Sequence, residues 1–287
     1  MAEKLALFGA AGNSDSFSAV SKSSLDAPKW LHEVMNVDAY EYQCGNGVRI
    51  SADTASKLGA NAREHGIALS LHSPYFISLT NLANMEKNIG YVLQSCAAAK
   101  AMGADRIVIH SGTTTGRERE EALADAKTTL LECLKAADSE GYGEITLCPE
   151  TMGKINQLGD FDEVMELCLI DERLTPCIDF GHLYARTLGA LEGYEATAAL
   201  FDKMENKLGH QRAGRFHSHF SHIEYSKGGE KKHLILEDTT FGPDFRPLGR
   251  LIAERGYAPR IICESAGTQA EDAALMKKIY LEELEKL

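Results

Sequence analysis

Short apolar runs recur along the chain, and longer stretches with helical spacing separate them. Each run is a few residues long, and most of them contain Ile, Leu, Val or Phe, which is typical of buried β-strands. The pattern predicts eight strands, at Lys4–Gly9, Ala39–Gln43, Ile67–His72, Arg106–His110, Ile145–Cys148, Pro176–Asp179, Gly214–His219 and Arg260–Cys263. The intervening segments predict helices, at Leu25–Asn36, Ser51–His65, Asn81–Gly103, Arg117–Glu140, Phe161–Ile170 and 185–209.

The alternation of strands and helices indicates the fold class. It favours an α/β protein built as a parallel (β/α)8 barrel, the TIM barrel, because each connection between parallel strands needs a crossover helix. A length of 287 residues suits one such barrel, so residues 1–287 are expected to form a single domain. The segment Glu224–Arg246 is longer than the usual connection, and long loops on barrels often carry function.

The composition limits the classes of function. A hydrophobic fraction of 44% and a charged fraction of 25% are ordinary for a globular protein, and no apolar run is long enough to cross a membrane. The first residues lead into a strand and not a signal sequence, and the seven cysteines form no C-x-x-C pair, which favours a reduced, cytoplasmic protein. A net charge of −12 argues against a broad grip on nucleic acid, although bound divalent cations would add local positive charge.

Histidine or acidic residues stand at the ends of six predicted strands. They are His72, His110, Glu150, Asp179, His217 and Glu264. The carboxyl ends of the strands of a parallel barrel open on one face, so these side chains are expected at one rim. One such histidine alone is more often structural than a ligand, but the recurrence favours a metal cluster. Imidazole mixed with carboxylate suits zinc, manganese or iron better than calcium or magnesium.

The charge at this rim bears on the substrate. Two divalent ions against three carboxylates would leave about one positive charge by formal counting, so a phosphodiester could bind despite the acidic surface. In two-metal sites the ions lie roughly 3.5–4 Å apart, activate a water and stabilise the attacking and leaving oxygens. Glu150 lies midway in the ligand order and is predicted to bridge the ions.

The ordered set of motifs resembles the endonuclease IV family of apurinic/apyrimidinic endonucleases, within the xylose-isomerase-like barrel superfamily. The motifs that carry the resemblance are His72 with Tyr75, His110, Glu150, the Asp179-x-x-His182 pair, His217 and Glu264. The resemblance implies one ion at His72, His110 and Glu150, and a second ion at Glu150, Asp179, His217 and Glu264. It also implies that Tyr75 contacts the damaged site in DNA, with a packing role as the alternative.

The resemblance further implies a third ion, held by His182 and an Asp-x-His motif after the seventh strand. His233 matches the final histidine, but Lys231 stands where the aspartate is expected, and Glu230 lies one place earlier. Glu230 would serve only if the loop shifts. We therefore expect two Zn²⁺ ions, and a third under that condition, with Mn²⁺ or Fe²⁺ as alternative metals.

Two further features of the sequence bear on the site. His217 matches the family better than His219, although alternation points both to the same face of the sheet, and His222 is expected behind the site or exposed. The loop Cys44–Arg49 does not reproduce the family's DNA-inserting loop, though Arg49 could reach a DNA backbone.

Three hypotheses about function follow. The first is a monomeric, metal-dependent phosphodiesterase that repairs damaged DNA by cleaving 5′ to an abasic site, with Glu150 and Glu264 as catalytic residues. The second is a sugar isomerase or epimerase, in which an ion polarises a carbonyl or hydroxyl while Glu150 and Glu264 move protons. The third is a ligand-binding barrel with a degenerate site. Two or three histidine-rich ion sites would favour hydrolysis, and one carboxylate-rich site would favour isomerisation.

Overall fold

A parallel barrel accounts for most of the computed structural model, which describes residues 5–287. The strands are β1 (Leu7–Ala11), β2 (Ala39–Gln43), β3 (Ala68–His72), β4 (Arg106–His110), β5 (Thr146–Glu150), β6 (Cys177–Asp179), β7 (His217–Phe220), β8 (His222–Ser226), β9 (Gly229–Leu234) and β10 (Arg260–Cys263). In the described part of the chain, eight of them close the barrel in the order β1–β10–β7–β6–β5–β4–β3–β2. β8 and β9 form a separate antiparallel hairpin inside the predicted long loop.

Helices follow the barrel strands and cover the outside. They are α1 (Asp15–Val20), α2 (Ala27–Trp30), α3 (Ala52–Glu64), α4 (Met85–Met102), α5 (Arg119–Ser139), α6 (Phe161–Cys168), α7 (Phe180–Arg186), α8 (Gly193–Leu208), α9 (His210–Ala213), α10 (Phe245–Glu254) and α11 (Gln269–Leu284). The predicted α/β class and (β/α)8 barrel are confirmed. No helix between residues 5 and 287 is long and apolar enough to span a bilayer.

The element boundaries differ from the predictions at a few points. Lys4, where the first strand was predicted to begin, lies outside the described residues. The predicted helix at Leu25–Asn36 is divided into a 3-10 turn, the short α2 and a π-helical turn that ends at Asn36. Pro28 stands in the first turn of α2, where its missing N–H does no harm, and Asn36 adopts a left-handed conformation with φ 53°.

The outward faces of the strands form the main hydrophobic core with the helices. Leu69 and Leu71 of β3 and Ile107 and Ile109 of β4 alternate with inward-facing residues and are buried in this core. Burying each such side chain stabilises the fold by about 1.5–3 kcal/mol. The alternation leaves the inward positions free for polar side chains.

The interior of the barrel is polar at both ends. At the base, the guanidinium of Arg260 donates to the carbonyl of Leu69 at 2.8 Å and to Asp105 Oδ1 at 2.8 Å. A small middle layer of Val108, Cys148 and Cys177 lies above it. Above that layer, the carboxyl ends of the strands deliver histidines and acids to the mouth of the barrel.

Candidate metal centre

The mouth of the barrel holds a cavity of about 480 Å³. It is lined by His72, Tyr75, His110, Glu150, Met152, Lys154, Gln157, His182, Glu230, His233 and Glu264. Most of these residues end a barrel strand or stand just beyond it. Since parallel strands all present their carboxyl ends at the same rim, residues distant in sequence converge there.

Several groups of side chains at the mouth could each hold a metal ion, and each is called a ligand group. The first ligand group consists of His72, His110 and Glu150, at the ends of β3, β4 and β5. Glu150 Oε2 lies 3.4 Å from His72 Nε2 and 3.2 Å from His110 Nε2. His72 Nδ1 lies 2.8 Å from the carbonyl oxygen of Ser73, which can only accept, so Nδ1 carries the hydrogen. The lone pair at His72 Nε2 therefore faces the cavity.

The second group consists of Glu150, Asp179, His219 and Glu264. Glu150 Oε1 lies 2.9 Å from His219 Nδ1, so the two carboxylate oxygens of Glu150 face different groups. Glu264 Oε1 lies 3.7 Å from the same nitrogen of His219. A carboxylate that presents one oxygen to each of two groups is suited to bridging two ions.

Asp179 has one oxygen engaged and one available. Its Oδ1 accepts from the backbone N–H of His182 at 2.7 Å and caps the N-terminus of α7. Its Oδ2 is buried and makes no hydrogen bond to any residue from 5 to 287, although His182 Nδ1 stands 3.2 Å away in the wrong orientation. A buried carboxylate oxygen without a hydrogen-bond partner is costly, and coordination of a cation would satisfy it.

The third group consists of His182, Glu230 and His233. His182 Nδ1 donates to the carbonyl of Thr151 at 2.9 Å, which leaves Nε2 facing Glu230 Oε2 at 3.5 Å. His233 Nδ1 bonds the hydroxyl of Ser221 at 2.8 Å. Glu264 Oε2 lies 3.9 Å from His233 Nδ1, so Glu264 stands between the second and third groups.

A β-bulge brings Glu230 to this group. In the hairpin, Ile223 pairs with His233, Glu224 with Lys232 and Tyr225 with Glu230, which leaves Lys231 as an extra residue. Residues paired across antiparallel strands point to the same face, so the bulge puts Glu230 and His233 on one face although they are three positions apart. The bulge thus provides the shift that the sequence required for Glu230 to take the place of the expected aspartate.

Gly153 makes room for the third group. A Cβ at this position would lie 2.6 Å from Glu230 Cβ, 2.7 Å from Glu230 Oε2 and 3.0 Å from His182 Cδ2. Cβ atoms in proteins do not come this close to non-bonded atoms, so an alanine here would force Glu230 or the backbone to move. The glycine therefore allows Glu230 and His182 to approach each other over the loop after β5.

The charges of the groups depend on one another. Burial opposes the ionisation of Glu150, but the charge of His219 and hydrogen bonds from the neighbouring histidines hold the pKa of Glu150 well below its ordinary value. Burial raises the pKa of Asp179 to about 6, with the charges of Glu264 and Glu150 adding to the effect. Burial lowers the pKa of His182, but Asp179 and Glu230 outweigh it and raise the value to about 9. The cluster as a whole favours positive charge at its centre, and its donor set fits divalent cations.

The predicted ligand His217 lies deeper than this cluster. Its place in the second group is taken by His219, which is the register partner of Asp179, whereas His217 pairs with Cys177 one layer below. His217 Nε2 lies 2.9 Å from Glu41 Oε2. The structure thus brings together His72, His110, Glu150, Asp179 and Glu264 as predicted, adds His219, and places His217 under the site.

The sequence of most of the chain matches a family model. Residues 32–284 match the family model described as a xylose isomerase-like TIM barrel. The chain belongs to this family. Its ligand groups stand at the carboxyl face of the barrel, where TIM barrel enzymes carry their active sites.

The sequence relatives include a protein without a named activity and proteins named as endonucleases. An uncharacterized protein of Methanocaldococcus jannaschii is 31% identical over 288 residues, covering 98% of each chain. A probable endonuclease 4 of Shouchella clausii is 26% identical over 245 residues, covering 79% of this chain and 81% of the relative. The chain thus has homologues named as endonucleases, and they match less of it and less closely than the archaeal protein does.

Solved structures of the same fold include an epimerase-like protein and an endonuclease. A D-tagatose 3-epimerase-like protein superimposes with a TM-score of 0.71 at 19% identity, covering 98% of each chain. Endonuclease IV from Thermus thermophilus superimposes with a TM-score of 0.69 at 16% identity, covering 98% of this chain and 100% of that one. At these identities the likeness shows the fold of the xylose isomerase-like barrel and not the reaction.

Tyr75 lies on the rim of the cavity. Its side chain is 52% exposed, and its ring stacks on His110 with 5.4 Å between the ring centroids. Its hydroxyl lies 3.4 Å from Gln43 Oε1. The ring is thus held against the first ligand group, and about half of the side chain remains exposed.

Sequence reasoning missed Glu41 and preferred His217 to His219, which is the histidine of β7 that stands beside Glu150 and Glu264 at the mouth. Glu41 stands in the middle of β2, fully buried, with hydrogen bonds to both His217 and His219. The strand reads Ala-Tyr-Glu-Tyr-Gln, and alternation places Glu41 on the inward face between two outward tyrosines. An acid on the inward face of a barrel strand is a signal that could have identified it.

Proposed function

We propose that the chain is a metal-dependent phosphodiesterase that hydrolyses DNA 5′ to an abasic site. The observation that carries the proposal is that, within residues 5–287, three ligand groups adjoin at one mouth and are linked by shared or intervening carboxylates. A single carboxylate-rich ion site would favour an isomerisation, whereas a cluster with this many imidazoles suits the displacement at a phosphodiester. As a repair enzyme it would act as a monomer in the cytoplasm.

Zinc is the expected metal, with Mn²⁺ or Fe²⁺ as alternatives. His72, His110 and Glu150 would hold one ion, while Glu150, Asp179, His219 and Glu264 would hold a second. A third would lie at His182, Glu230 and His233. When bound, such ions lower the pKa of a water and neutralise the charge that develops on a phosphate.

Glu150 and Glu264 are the proposed catalytic residues because each stands between two ligand groups. Glu150 presents its two oxygens to the first and second groups, and Glu264 presents its oxygens to His219 and His233 at 3.7 and 3.9 Å. Their carboxylates set the spacing of the groups and can accept a proton from an attacking water. A substrate phosphate would lie over both.

Tyr75 and Lys154 are proposed to contact the DNA. The exposed ring of Tyr75 offers a stacking surface beside the first group, where a base or sugar next to the reacting phosphate would lie. Lys154 is exposed on the cavity wall and would contact a phosphate of the DNA backbone. These contacts would compensate in part for the acidic net charge of −12.

A sugar isomerase or epimerase is the second candidate. The observation in its favour is that Glu150, Asp179, His219 and Glu264 form a complete, carboxylate-rich group by themselves. The cavity of about 480 Å³ also has room for a small sugar. In this reading, Glu150 and Glu264 would move protons to and from neighbouring carbons of the substrate.

The test combines metal content with two substrate assays. The protein is loaded with Zn²⁺ and, separately, with Mn²⁺, dialysed, and its ions per chain are counted by mass spectrometry. Each form is then incubated with a labelled duplex that contains one abasic site, with the same duplex lacking it, and with a panel of ketoses and aldoses. Two or three ions with cleavage 5′ to the abasic site supports the proposal. A single ion with conversion of a sugar and an intact duplex would refute it and support the epimerase.

A further inference from the structure

Glu41 lies below the candidate metal centre, and all of its acceptor positions are filled. It is completely buried in the barrel interior on β2. Its Oε2 accepts from the hydroxyl of Ser70 at 2.9 Å and faces His217 Nε2 at 2.9 Å. Its Oε1 faces His219 Nε2 at 2.9 Å and accepts from Gln43 Nε2 at 3.2 Å. A carboxylate has about four acceptor positions, and here four donors surround it.

These contacts determine which nitrogen of His219 carries a hydrogen. An ionised carboxylate has no hydrogen to donate and can only accept, so His219 Nε2 must donate to Glu41. When an ion binds, His219 must be a neutral imidazole, and with its hydrogen at Nε2 its lone pair is at Nδ1. That nitrogen faces the second ligand group, 2.9 Å from Glu150 Oε1 and 3.7 Å from Glu264 Oε1.

We propose that Glu41 is a positioning residue of the metal centre: it fixes the ring orientation and tautomer of His219 so that Nδ1 can bind an ion. Histidines that bind metals commonly donate their other nitrogen to a carboxylate or carbonyl, which raises their basicity and holds the ring. His72 and His182 use the carbonyls of Ser73 and Thr151 in this way. His219 uses Glu41.

The burial of Glu41 supports this role over a purely structural one. A buried carboxylate is costly unless it is fully hydrogen-bonded, and a core position on a barrel strand would be filled at lower cost by an apolar side chain. The buried cation Arg260 at the base of the barrel already has Asp105 as its partner, so it does not account for Glu41. Glu41 belongs to none of the ligand groups in the described chain and reaches the cavity only through His219.

Cys177, His217 and His219 also lie close enough together to hold an ion, one layer below the mouth. If Glu41 positions His219, this cluster is not a separate ion site. Both nitrogens of His219 are engaged, one by Glu41 and one at the second ligand group. His217 also directs its Nε2 to Glu41. These three residues therefore serve as the support of the metal centre.

The proposal rests on the metal centre of the proposed function but not on its substrate, and metal binding tests it directly. The variants are Glu41→Leu, which offers His219 no acceptor, and Glu41→Gln, which offers one acceptor oxygen for two imidazoles. The matched control is Ser70→Ala, which removes a buried hydrogen bond to Glu41 but leaves both imidazoles in place. Folding of each variant is checked by circular dichroism and thermal unfolding.

Three readouts are made on the full chain. They are the number of Zn²⁺ ions per chain, the affinity of each ion by competition with a chelator, and the absorption spectrum of the Co²⁺ form. Nitrogen NMR of the imidazoles gives the tautomer of His219. We expect Glu41→Leu and Glu41→Gln to weaken one ion by about 10–100-fold, and to change the cobalt spectrum and the tautomer signal. Ser70→Ala should bind all ions within about twofold of the parent.

The outcomes separate this proposal from the proposed function. If either folded variant of Glu41 keeps the parent's affinities, cobalt spectrum and His219 tautomer, the positioning role is wrong. If the parent chain binds no ion, the metal centre itself is wrong, and the role of Glu41 falls with it. If the ions bind and depend on Glu41 while the duplex stays intact, the positioning role stands and only the phosphodiesterase is refuted.

Discussion

The substitution Glu150→Gln tests the proposed bridge between the first two ligand groups. It keeps the size and shape of the side chain but removes its negative charge and replaces one oxygen with an amide nitrogen, which does not bind metals. The first group then has two imidazoles and at most one weak amide oxygen. The second loses one of its three carboxylates.

The size of the effect follows from the number of ligands lost. Both groups share Glu150, so both ions should bind more weakly, whereas the third group of His182, Glu230 and His233 keeps its full set. Ions that stabilise charge in a transition state contribute several kcal/mol. With 1.36 kcal/mol per factor of ten, a loss of about 4 kcal/mol lowers turnover about a thousandfold.

The assay compares the variant with the parent and with a matched control. Ions per chain are counted after dialysis against a fixed free Zn²⁺ concentration, and cleavage of an abasic duplex is followed over time. The control is Glu163→Gln, since Glu163 is also a buried glutamate but binds Arg119, caps α6 and belongs to none of the described ligand groups. We expect the control to unfold at a lower temperature and to keep its ions and its turnover.

One result would refute the reasoning. If Glu150→Gln binds as many ions as the parent and cleaves at a similar rate, Glu150 does not bridge and the assignment of the first two groups fails. A loss of ions in Glu163→Gln as well would mean that any buried charge change disrupts the centre, so the comparison of the two variants decides.

Four further predictions follow. Gly153→Ala should weaken the third ion about tenfold or more by clashing with Glu230, with the other ions unchanged, as counted by mass spectrometry. Deletion of Lys231 should keep the third ion, because it removes the bulge and leaves Glu230 and His233 on one face by simple alternation; loss of that ion would contradict the hairpin register. Tyr75→Ala should raise KM for the abasic duplex about tenfold or more without altering metal content, since one stacked base contributes about 1–3 kcal/mol. Burial raises the pKa of Asp105, but the charges of Arg260 and Arg106 outweigh this effect and lower the pKa to about 2. The ion pair of Asp105 with Arg260 therefore stabilises the fold above about pH 4, and this contribution is lost as the pH falls towards 2. Asp105→Asn should lower the Tm at pH 7 and should have the same Tm as the parent near pH 2.

The barrel itself was predictable because its signals are local. Each strand is a short apolar run, and the turn or cap residues beside it limit its length. One strand end was wrong because of a proline. Strand β5 was predicted to end at Cys148, before Pro149, but it continues to Glu150 with Pro149 opposite Ile109 of β4.

The position of His219 could not be determined from the sequence alone. His217 and His219 are two residues apart, so both face the interior, and strand direction puts His219 nearer the mouth. Neither rule says which of the two lies level with the ligands from the other strands. The depth of a residue in a barrel depends on the register of its strand against its neighbours. Here Asp179 of β6 lies opposite His219, which fixes the level of the second ligand group.

The position of Glu230 was hidden for a related reason. Alternation along a strand would put Lys231 on the face of His233 and turn Glu230 away, so the sequence made the third group depend on a shift of the loop. The extra residue in β9 reverses this, because one bulged residue changes the face of everything beyond it along the strand. The hairpin lies outside the barrel sheet, and Lys231 pairs with Glu224. The third group is therefore complete in this chain through backbone geometry and not through a matching motif, and a comparison of residue types alone would have rejected it.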